Sequence, residues 1–167
     1  MLSPPSVQAA RAGNPEYDYL LGVTALNDVT ERDWQKADGQ WARAKGMDTF
    51  CPCGPCIDTS AAEALRVGRE LQASFTAQTG NTSVDAEKQL PLTVSTFVNG
   101  ECRQFGVVAE MTYGLAYLIS YISSLFTLEA GDIIATGTPA GVGPLAPGDT
   151  VAVELSCGVR LENSVVQ

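Results

Sequence analysis

The sequence predicts a mixed α+β domain that is mainly β and has a few short helices. Sixteen glycines and nine prolines in 167 residues indicate many tight turns, and therefore short strands rather than a helix bundle. The apolar run YLLGVTAL (residues 19–26) and the alternating segment TVSTFV (residues 93–98) are typical of strands. An apolar content of 45% fits a globular chain large enough to bury a core.

The net charge and the numbers of histidine and cysteine residues exclude some classes of function. A net charge of −9 argues against binding to nucleic acid or to an anionic membrane surface, because both need an excess of lysine and arginine. The sequence has no histidine, which excludes Ser–His and Cys–His catalytic pairs. Five cysteines without an export signal before them predict reduced thiols and a cytoplasmic location.

In the first half of the chain, residues 1–15 are predicted to be a loose tail and residues 16–167 the domain. The first strand ends in the charged segment NDVTERDWQ, with a short helical turn expected around Trp34. The segment CPCGP (residues 51–55) is predicted to be irregular, because two prolines and a glycine interrupt it. Residues 60–77 have the composition and periodicity of a helix.

In the second half, Asn99-Gly100 is a strong hairpin signal between TVSTFV and ECRQFGVV. Residues 111–128 contain no charge, but their apolar residues recur at helical spacing, which predicts an amphipathic helix on the core rather than a membrane span. A short strand at residues 133–136 is expected to open into a glycine-rich loop. A turn at residues 147–149 then leads into a strand. The apolar residues predicted to face the core from the helix are Met111, Leu115, Leu118, Ile119, Ile122, Leu125 and Phe126.

The segment after the first strand contains the first candidate site. Asp28 could supply an oxygen ligand to a hard cation such as Mg²⁺ or Mn²⁺, or it could merely cap a turn. Arg32 and Gln35 would face the same way on a helical turn and would suit an anionic oxygen substrate. The alternative is a surface ion-pair cluster of Glu31, Arg32 and Asp33.

Lys45 and the loop GTPAGVG (residues 137–143) are further candidates. Lys45 could orient a substrate or act as a base, or it could be an ordinary solvated lysine. The loop presents backbone N–H groups and the Thr138 hydroxyl, which could bind a carboxylate or an oxyanion. It could equally be a plain glycine-rich connection.

Three clustered cysteines raise the possibility of a zinc or iron–sulfur site. Cys51, Cys53 and Cys56 would need Cys102 or Cys157 as a fourth ligand, and the sequence has no second CxxC pair. Buried or incidental thiols are therefore the favoured interpretation.

Taken together, four segments in this order resemble the fumarylacetoacetate hydrolase family, specifically its C-terminal catalytic domain. The segments are ALNDVTERDWQ, GQWARAKGMDTFCPCGP, TFVNGE and FTLEAGDIIATGTPAGVGPLAPGDTVAVEL. The resemblance runs from about Tyr17 to Val165. Within the family, the sequence resembles the acylpyruvases and the 2-hydroxyhepta-2,4-diene-1,7-dioate isomerases.

The resemblance implies a β-roll or sandwich fold, a homodimer, and a divalent cation, Mg²⁺ or Mn²⁺, held by carboxylates. It implies cleavage of a C–C bond in a small acylpyruvate or 2-oxo dicarboxylic acid through a metal-stabilised enolate, or a related decarboxylation or isomerisation. By the same resemblance Asp28 is the metal ligand, and Arg32, Gln35 and Thr138 contact substrate. Lys45, together with Arg32, is assigned to catalysis.

Departures from the family pattern leave a second hypothesis open. Two further metal ligands of the family come from a Glu-x-Glu pair farther upstream than this sequence reaches, and the histidine–glutamate dyad of hydrolytic members is missing. Glu16 and Asp18 imitate the spacing of the pair but align with the segment after it. The sequence therefore resembles an N-terminally truncated family member. The alternative to an enzyme is a non-catalytic protein of this fold that retains only dimerisation or ligand binding.

Overall fold

The computed structural model describes residues 18–64 and 92–166. The chain divides into two compact units. The sheet unit comprises Thr24–Ile57, Val94–Phe105 and Pro139–Gln167, and the helix unit comprises Met1–Val23, Asp58–Thr93 and Gly106–Thr138. The predicted tail at residues 1–15 lies outside the described residues.

A four-stranded sheet forms most of the sheet unit. Its strands are β3 (Thr93–Val98), β4 (Glu101–Val107), β5 (Thr150–Leu155) and β6 (Arg160–Ser164), in the order β4-β3-β5-β6. β5 pairs antiparallel with both β3 and β6, so that Val153 lies opposite Thr96 on one side and Leu161 on the other. The mainly β, mixed fold class predicted from the sequence is confirmed.

A second, two-stranded sheet contributes Ala25 to the core of the sheet unit. It pairs β1 (Val23–Leu26) with β2 (Cys53–Asp58), and the Thr24 hydroxyl donates a hydrogen bond to the Cys56 carbonyl at 2.8 Å. Ala25 of β1 is 1% exposed and packs with Val153, Val159 and Leu161. The predicted first strand therefore exists over Val23–Leu26, where Ala25 contacts β5 and β6. The prediction is wrong for the first half of the apolar run, because Tyr19 and Leu21 lie outside the strand and are 66% and 65% exposed.

The prediction that residues 51–55 are irregular is wrong for Cys53, Gly54 and Pro55, which belong to β2. Proline is tolerated in a strand when its missing N–H would face away from the neighbouring strand, as at the edge of a sheet. In a two-stranded sheet both strands are edge strands, so Pro55 interrupts no interior ladder.

The Asn99-Gly100 hairpin is confirmed, with a positive φ at both residues (53° and 83°). The Asn99 side chain also joins the turn to the start of β5. It donates to Asp149 Oδ1 at 2.8 Å and accepts the Thr150 N–H at 2.9 Å. The predicted turn at residues 147–149 is present too, and the Asp149 N–H donates to the Ala146 carbonyl at 3.0 Å.

Two short helices follow β1, as the expected turn around Trp34 suggested. α1 (Arg32–Asp38) begins where the Glu31 carboxylate accepts the Asp33 N–H, and it ends at Gly39 in the left-handed conformation. α2 (Ala42–Lys45) is a single turn with Ala44 buried.

The helix unit contains α3, which is described for residues 60–64, and α4 (Leu115–Leu125). The predicted helix over residues 60–77 is confirmed for residues 60–64, and its remainder lies outside the described residues. A 3-10 turn at Val108–Glu110 precedes α4. Among the helices in the described ranges, none combines the length and apolar character needed to cross a bilayer.

The helix predicted within residues 111–128 exists as Leu115–Leu125. Of the residues predicted to face the core, Ile119 is buried and Met111, Leu115, Leu118 and Ile122 are half-buried. The prediction is wrong for Leu125 and Phe126, which lie at the end of the helix and are 60% and 67% exposed.

The strand predicted at residues 133–136 is absent. These residues join neither sheet, and Ile133 is 56% exposed. A strand needs a partner for its backbone groups, and an apolar sequence alone does not provide one.

We predict that Asp149→Asn makes the stability of the domain less dependent on acidic pH. Hydrogen bonds from the Ala146 N–H and then from the Asn99 side chain lower the pKa of Asp149. Because this folded-state pKa lies below the unfolded value of about 3.9, ionised Asp149 stabilises the fold above that value, and the contribution is lost as pH falls through the folded-state pKa.

Urea unfolding measured from neutral pH down through about pH 3 checks this expectation. Asp48→Asn, at an exposed position outside the turn, is the control. Parallel acid dependence in wild type and Asp149→Asn would contradict the assigned role of the turn.

Candidate active site

The segment that follows β1 is held to the rest of the sheet unit through its backbone. The Asn27 N–H donates to the Pro52 carbonyl at 3.0 Å, and the Glu31 N–H donates to the Ala44 carbonyl at 2.9 Å. Ala44 is completely buried. These contacts fix both the loop between β1 and α1 and the helical turn that presents Lys45.

Asp28 and Lys45 are in direct contact. Lys45 Nζ donates to Asp28 Oδ2 in a short ion pair and to Thr30 Oγ1 at 3.2 Å. The side chain of Asp28 is 48% exposed and that of Lys45 is 29% exposed, so both are accessible to a small solute. The Lys45 ammonium also lies 5.8 Å from the centre of the Trp41 ring. The structure thus brings together two of the residues singled out in the sequence.

Arg32 and Gln35 also meet, on the first turn of α1. Arg32 Nη1 donates to Gln35 Oε1 at 2.8 Å, as their spacing of three residues predicts. A guanidinium in this position retains other N–H donors that could bind a carboxylate.

The neighbouring Arg43 is already engaged with protein partners. It binds both oxygens of Asp38 (2.6 and 2.8 Å) and lies 4.3 Å from the centre of the Trp34 ring. The hydrogen bond from Arg43 lowers the pKa of Asp38, and desolvation opposes this effect. Arg43, which belongs to α2, therefore joins α2 to α1 through Asp38. Lys45 is the cation beside Asp28.

The glycine-rich loop is divided between the two units. Thr138 is the last residue of the helix unit, and the loop continues from Pro139 in the sheet unit. Its expected approach to Asp28 and Lys45 stays a prediction. From Pro139 onward the loop is attached to β4, because Gln104 Nε2 donates to the Pro139 carbonyl at 2.8 Å.

The donor set does not complete a site for Mg²⁺ or Mn²⁺. Within residues 18–64 and 92–166, no group of three or more His, Cys, Asp or Glu side chains is arranged to hold a metal ion. Hard cations of this kind need several oxygen ligands, and Asp28 supplies one carboxylate. The Lys45 contact does not exhaust that carboxylate, because its two oxygens have about four acceptor positions.

The cysteines are exposed rather than gathered around a common centre. All five are free thiols on the surface, and among the described residues Cys51, Cys53 and Cys56 belong to no group of three or more side chains arranged to hold a metal. Of the two favoured interpretations, buried thiols are wrong, because Cys51, Cys53 and Cys56 are all exposed, and incidental thiols remain.

Three residues near these candidates were missed by the sequence analysis. Thr30 accepts from Lys45, Trp41 contributes a ring beside the same ammonium, and Gln104 holds the glycine-rich loop. The position of Thr30, two residues after Asp28 in the same loop, was a usable signal. Nothing in the sequence linked Gln104 to a loop 35 residues away.

Comparison with known proteins identifies the family. The family model for the fumarylacetoacetate (FAA) hydrolase C-terminal domain matches residues 5–166. The chain belongs to this family. It spans about half the length of the curated relatives it matches, 48% of one and 50% of another.

Relatives in the family have different named activities. The oxaloacetate tautomerase YcgM of Escherichia coli is 40% identical over 138 residues, which cover 80% of this chain and 52% of that protein. The structure of 2-hydroxyhepta-2,4-diene-1,7-dioate isomerase from Mycobacterium marinum is 38% identical with a TM-score of 0.72, and the match covers 98% of this chain and 52% of that one.

One structural relative contains a metal ion. Maleylpyruvate hydrolase from Sphingobium sp. SYK-6, in complex with manganese(II) and pyruvate, is 30% identical with a TM-score of 0.69. The match covers 95% of this chain and 48% of that chain. Members of the family are thus enzymes, and at least one binds a divalent metal.

We predict that Gly141→Ala destabilises the domain strongly, by roughly 2–4 kcal/mol. Gly141 has φ +106°, and a Cβ atom there would lie 2.0 Å from the Arg103 carbonyl oxygen. Either the loop or β4 would have to move.

Gly143→Ala is the matched control in the same loop, because a Cβ atom at that position meets nothing within 4 Å. Chemical denaturation of both variants measures the difference. Equal stability of the two variants would show that the loop is not held against β4.

Proposed function

We propose that the chain acts on a small 2-oxo acid, an acylpyruvate or a 2-oxo dicarboxylate such as oxaloacetate, by forming an enolate. The observation that supports this most is the contact between Asp28 and Lys45 at the end of β1, with Arg32 and Gln35 on the helix that follows. Together they provide an ammonium, a guanidinium and a carboxylate in one accessible part of the sheet unit.

The chemistry of 2-oxo acids explains why such groups are useful. In these reactions the carbon atom next to the keto group loses either a C–C bond or a proton. The electron pair left on that carbon forms a new C=C bond with the keto carbon, and negative charge develops on the former keto oxygen. A positioned ammonium donor stabilises that oxygen more than it stabilises the neutral ketone. Lys45 is the proposed donor, and Asp28 and Thr30 hold its ammonium in place.

The substrate carboxylate is assigned to Arg32. A guanidinium can bind a carboxylate through two parallel N–H bonds, which fixes orientation as well as charge. Gln35 holds Arg32 from the side and offers its own amide N–H groups to the same ligand. Thr138 remains a proposed substrate contact from the helix unit.

We also propose Asp28 as one ligand of Mg²⁺ or Mn²⁺, which supports binding of a 2-oxo acid by neutralising charge on its oxygens. The described residues lack the other ligands, which would have to lie outside them, and no step above depends on the ion. The manganese complex of the maleylpyruvate hydrolase relative supports the choice of metal.

Tautomerisation, the reaction named for the YcgM relative, and decarboxylation, which the family resemblance implies, suit this sequence better than hydrolysis. Both require stabilisation of an enolate and movement of a proton, but neither needs an activated water molecule. The sequence contains no histidine to activate water. Hydrolysis of an acylpyruvate should therefore be measured beside the other two reactions, and we expect it to be the slowest.

We expect the chain, assayed with Mg²⁺ or Mn²⁺, to turn over oxaloacetate or an acylpyruvate, and EDTA to lower the activity by removing the contribution of the ion to substrate binding. Lys45→Met should reduce kcat/KM by at least about 100-fold, because removal of one oxyanion donor costs that much. The assays follow enol absorbance, release of CO₂ and cleavage of acetylpyruvate.

Lys36→Met and Asp33→Asn are the controls, since both positions are exposed on the same helix as Arg32 and Gln35. They should retain activity while Lys45→Met and Asp28→Asn lose it. Lack of turnover on all three substrates with either ion would refute the enzyme proposal and favour the non-catalytic alternative. Full activity of Lys45→Met would refute the role given to this residue.

A further inference from the structure

The two tryptophans of the sequence lie beside the basic residues of α2, and their surroundings differ. Trp34 is on α1, and its ring centre is 4.3 Å from the guanidinium carbon of Arg43. Trp41 immediately precedes α2, and its ring centre is 5.8 Å from the Lys45 ammonium. Trp34 is 38% exposed and Trp41 is 56% exposed. A cation therefore covers the Trp34 ring at close range, whereas much of Trp41 is open to solvent.

The backbone keeps the Trp41 ring next to the Lys45 ammonium. The Lys45 N–H donates to the Trp41 carbonyl at 3.1 Å, so the two residues are one helical turn apart and their side chains lie on the same side. Ala44, between them, is completely buried, and its carbonyl accepts the Glu31 N–H. A ligand bound to the Lys45 ammonium would therefore have its adjoining atoms within reach of an exposed indole ring.

The chemistry around this ring favours a flat, uncharged group over a second carboxylate. Arg43, the other cation near the ring on α2, is bonded to both oxygens of Asp38. Lys45 is bonded to Asp28. A second carboxylate directed at α2 would find both cations already paired, whereas a planar conjugated group can stack on the exposed indole.

An aromatic ring beside the ammonium would also distinguish the enolate of a substrate from its ketone. In an acylpyruvate the carbon between the two carbonyl groups is tetrahedral in the ketone and trigonal in the enolate. Conjugation then holds the whole acid in one plane, including an aromatic ring on the acyl group. A flat indole surface contacts this planar form over a larger area than the bent ketone, and it therefore stabilises the enolate more.

We propose that Trp41 determines substrate specificity by stacking on an aromatic substituent, so that the preferred 2-oxo acids are acylpyruvates with an aromatic acyl group. This inference rests on the proposed function, because Lys45 and Arg32 bind the keto oxygen and the carboxylate of the same ligand. A Trp41 that only steadied the Lys45 ammonium would affect the binding of every 2-oxo acid to the same extent. Selectivity for a flat substituent is thus the property to measure.

Binding of two unreactive 2-oxo acids tests the proposal without depending on turnover. Benzoylformate and trimethylpyruvate have no C–H bond next to the keto group, so neither can form an enolate, and only benzoylformate has a flat ring. In calorimetric titrations with Mg²⁺ present, Trp41→Ala should weaken binding of benzoylformate about five- to tenfold, and that of trimethylpyruvate and oxalate less than about twofold. Trp41→Phe should restore most of the affinity for benzoylformate. Trp34→Phe is the matched control and should bind all three ligands like wild type.

Fluorescence measures the contact directly and does not require a variant without a ring at position 41. In Trp34→Phe, Trp41 is the only tryptophan left in the sequence, and benzoylformate should quench its emission with the affinity found by calorimetry. In Trp41→Phe only Trp34 is left, and saturable quenching should be absent. Circular dichroism confirms the folding of each variant, and the quenching of Trp34→Phe decides the question should Trp41→Ala unfold.

Three results would overturn the proposal. They are equal weakening of all three ligands by Trp41→Ala, binding of benzoylformate to wild type no tighter than that of trimethylpyruvate, and no saturable quenching in Trp34→Phe. Each can occur while oxaloacetate or acetylpyruvate is turned over, in which case the proposed function stands without this role of Trp41. Selective binding of benzoylformate that depends on Trp41, in a chain that turns over no substrate, would support the role of the ring in binding and refute only the proposed catalysis.

Discussion

The burial of Ala25 beneath β5 and β6 is the constraint on which the candidate site depends. Its side chain is 1% exposed and contacts Val153, Val159 and Leu161, so β1 is held at a fixed depth against the larger sheet. A bulkier residue there would overpack the cluster and displace the strand. Because β1 is fixed, the loop that leaves it is fixed too.

Backbone hydrogen bonds extend this rigidity from the strand to the functional groups. The Asn27 N–H is bonded to the Pro52 carbonyl and the Glu31 N–H to the Ala44 carbonyl, so the chain on the two sides of Asp28 is tied to the residue before β2 and to α2 itself. Asp28 and Lys45, seventeen residues apart, are then in contact without a long flexible connection between them. A charged pair positioned in this way needs little reorganisation when an anionic ligand arrives, which is the condition for effective electrostatic catalysis.

Local signals in the sequence were sufficient for part of the fold. Asn99-Gly100 specified the hairpin because both residues readily adopt positive φ, and the Arg32–Gln35 contact followed from helical spacing. The contact between Asp28 and Lys45 depends on tertiary pairing of β1 with β2. Family resemblance, rather than spacing, indicated that these two residues belong together.

Elsewhere the structure differs from the local sequence pattern, because tertiary neighbours determine which segments form strands and which side chains are buried. Pro55 lies in a strand because that strand is at an edge, and Ile133 lies outside the sheets although its segment is apolar. On α4 the periodicity identified the helix and the buried Ile119, but not the exposure of Leu125 and Phe126 at its end. Partners distant in sequence determine each of these outcomes.

In the proposed function, an anionic 2-oxo acid binds at the Lys45 ammonium that Asp28 holds in place. Oxalate is a stable, planar dianion that resembles the enolate of such an acid, so calorimetric titration with oxalate tests binding separately from turnover. With Mn²⁺ present, wild type and Lys36→Met should bind oxalate alike, and Lys45→Met should bind it at least about tenfold more weakly. Equal affinity in Lys45→Met and wild type would contradict the account.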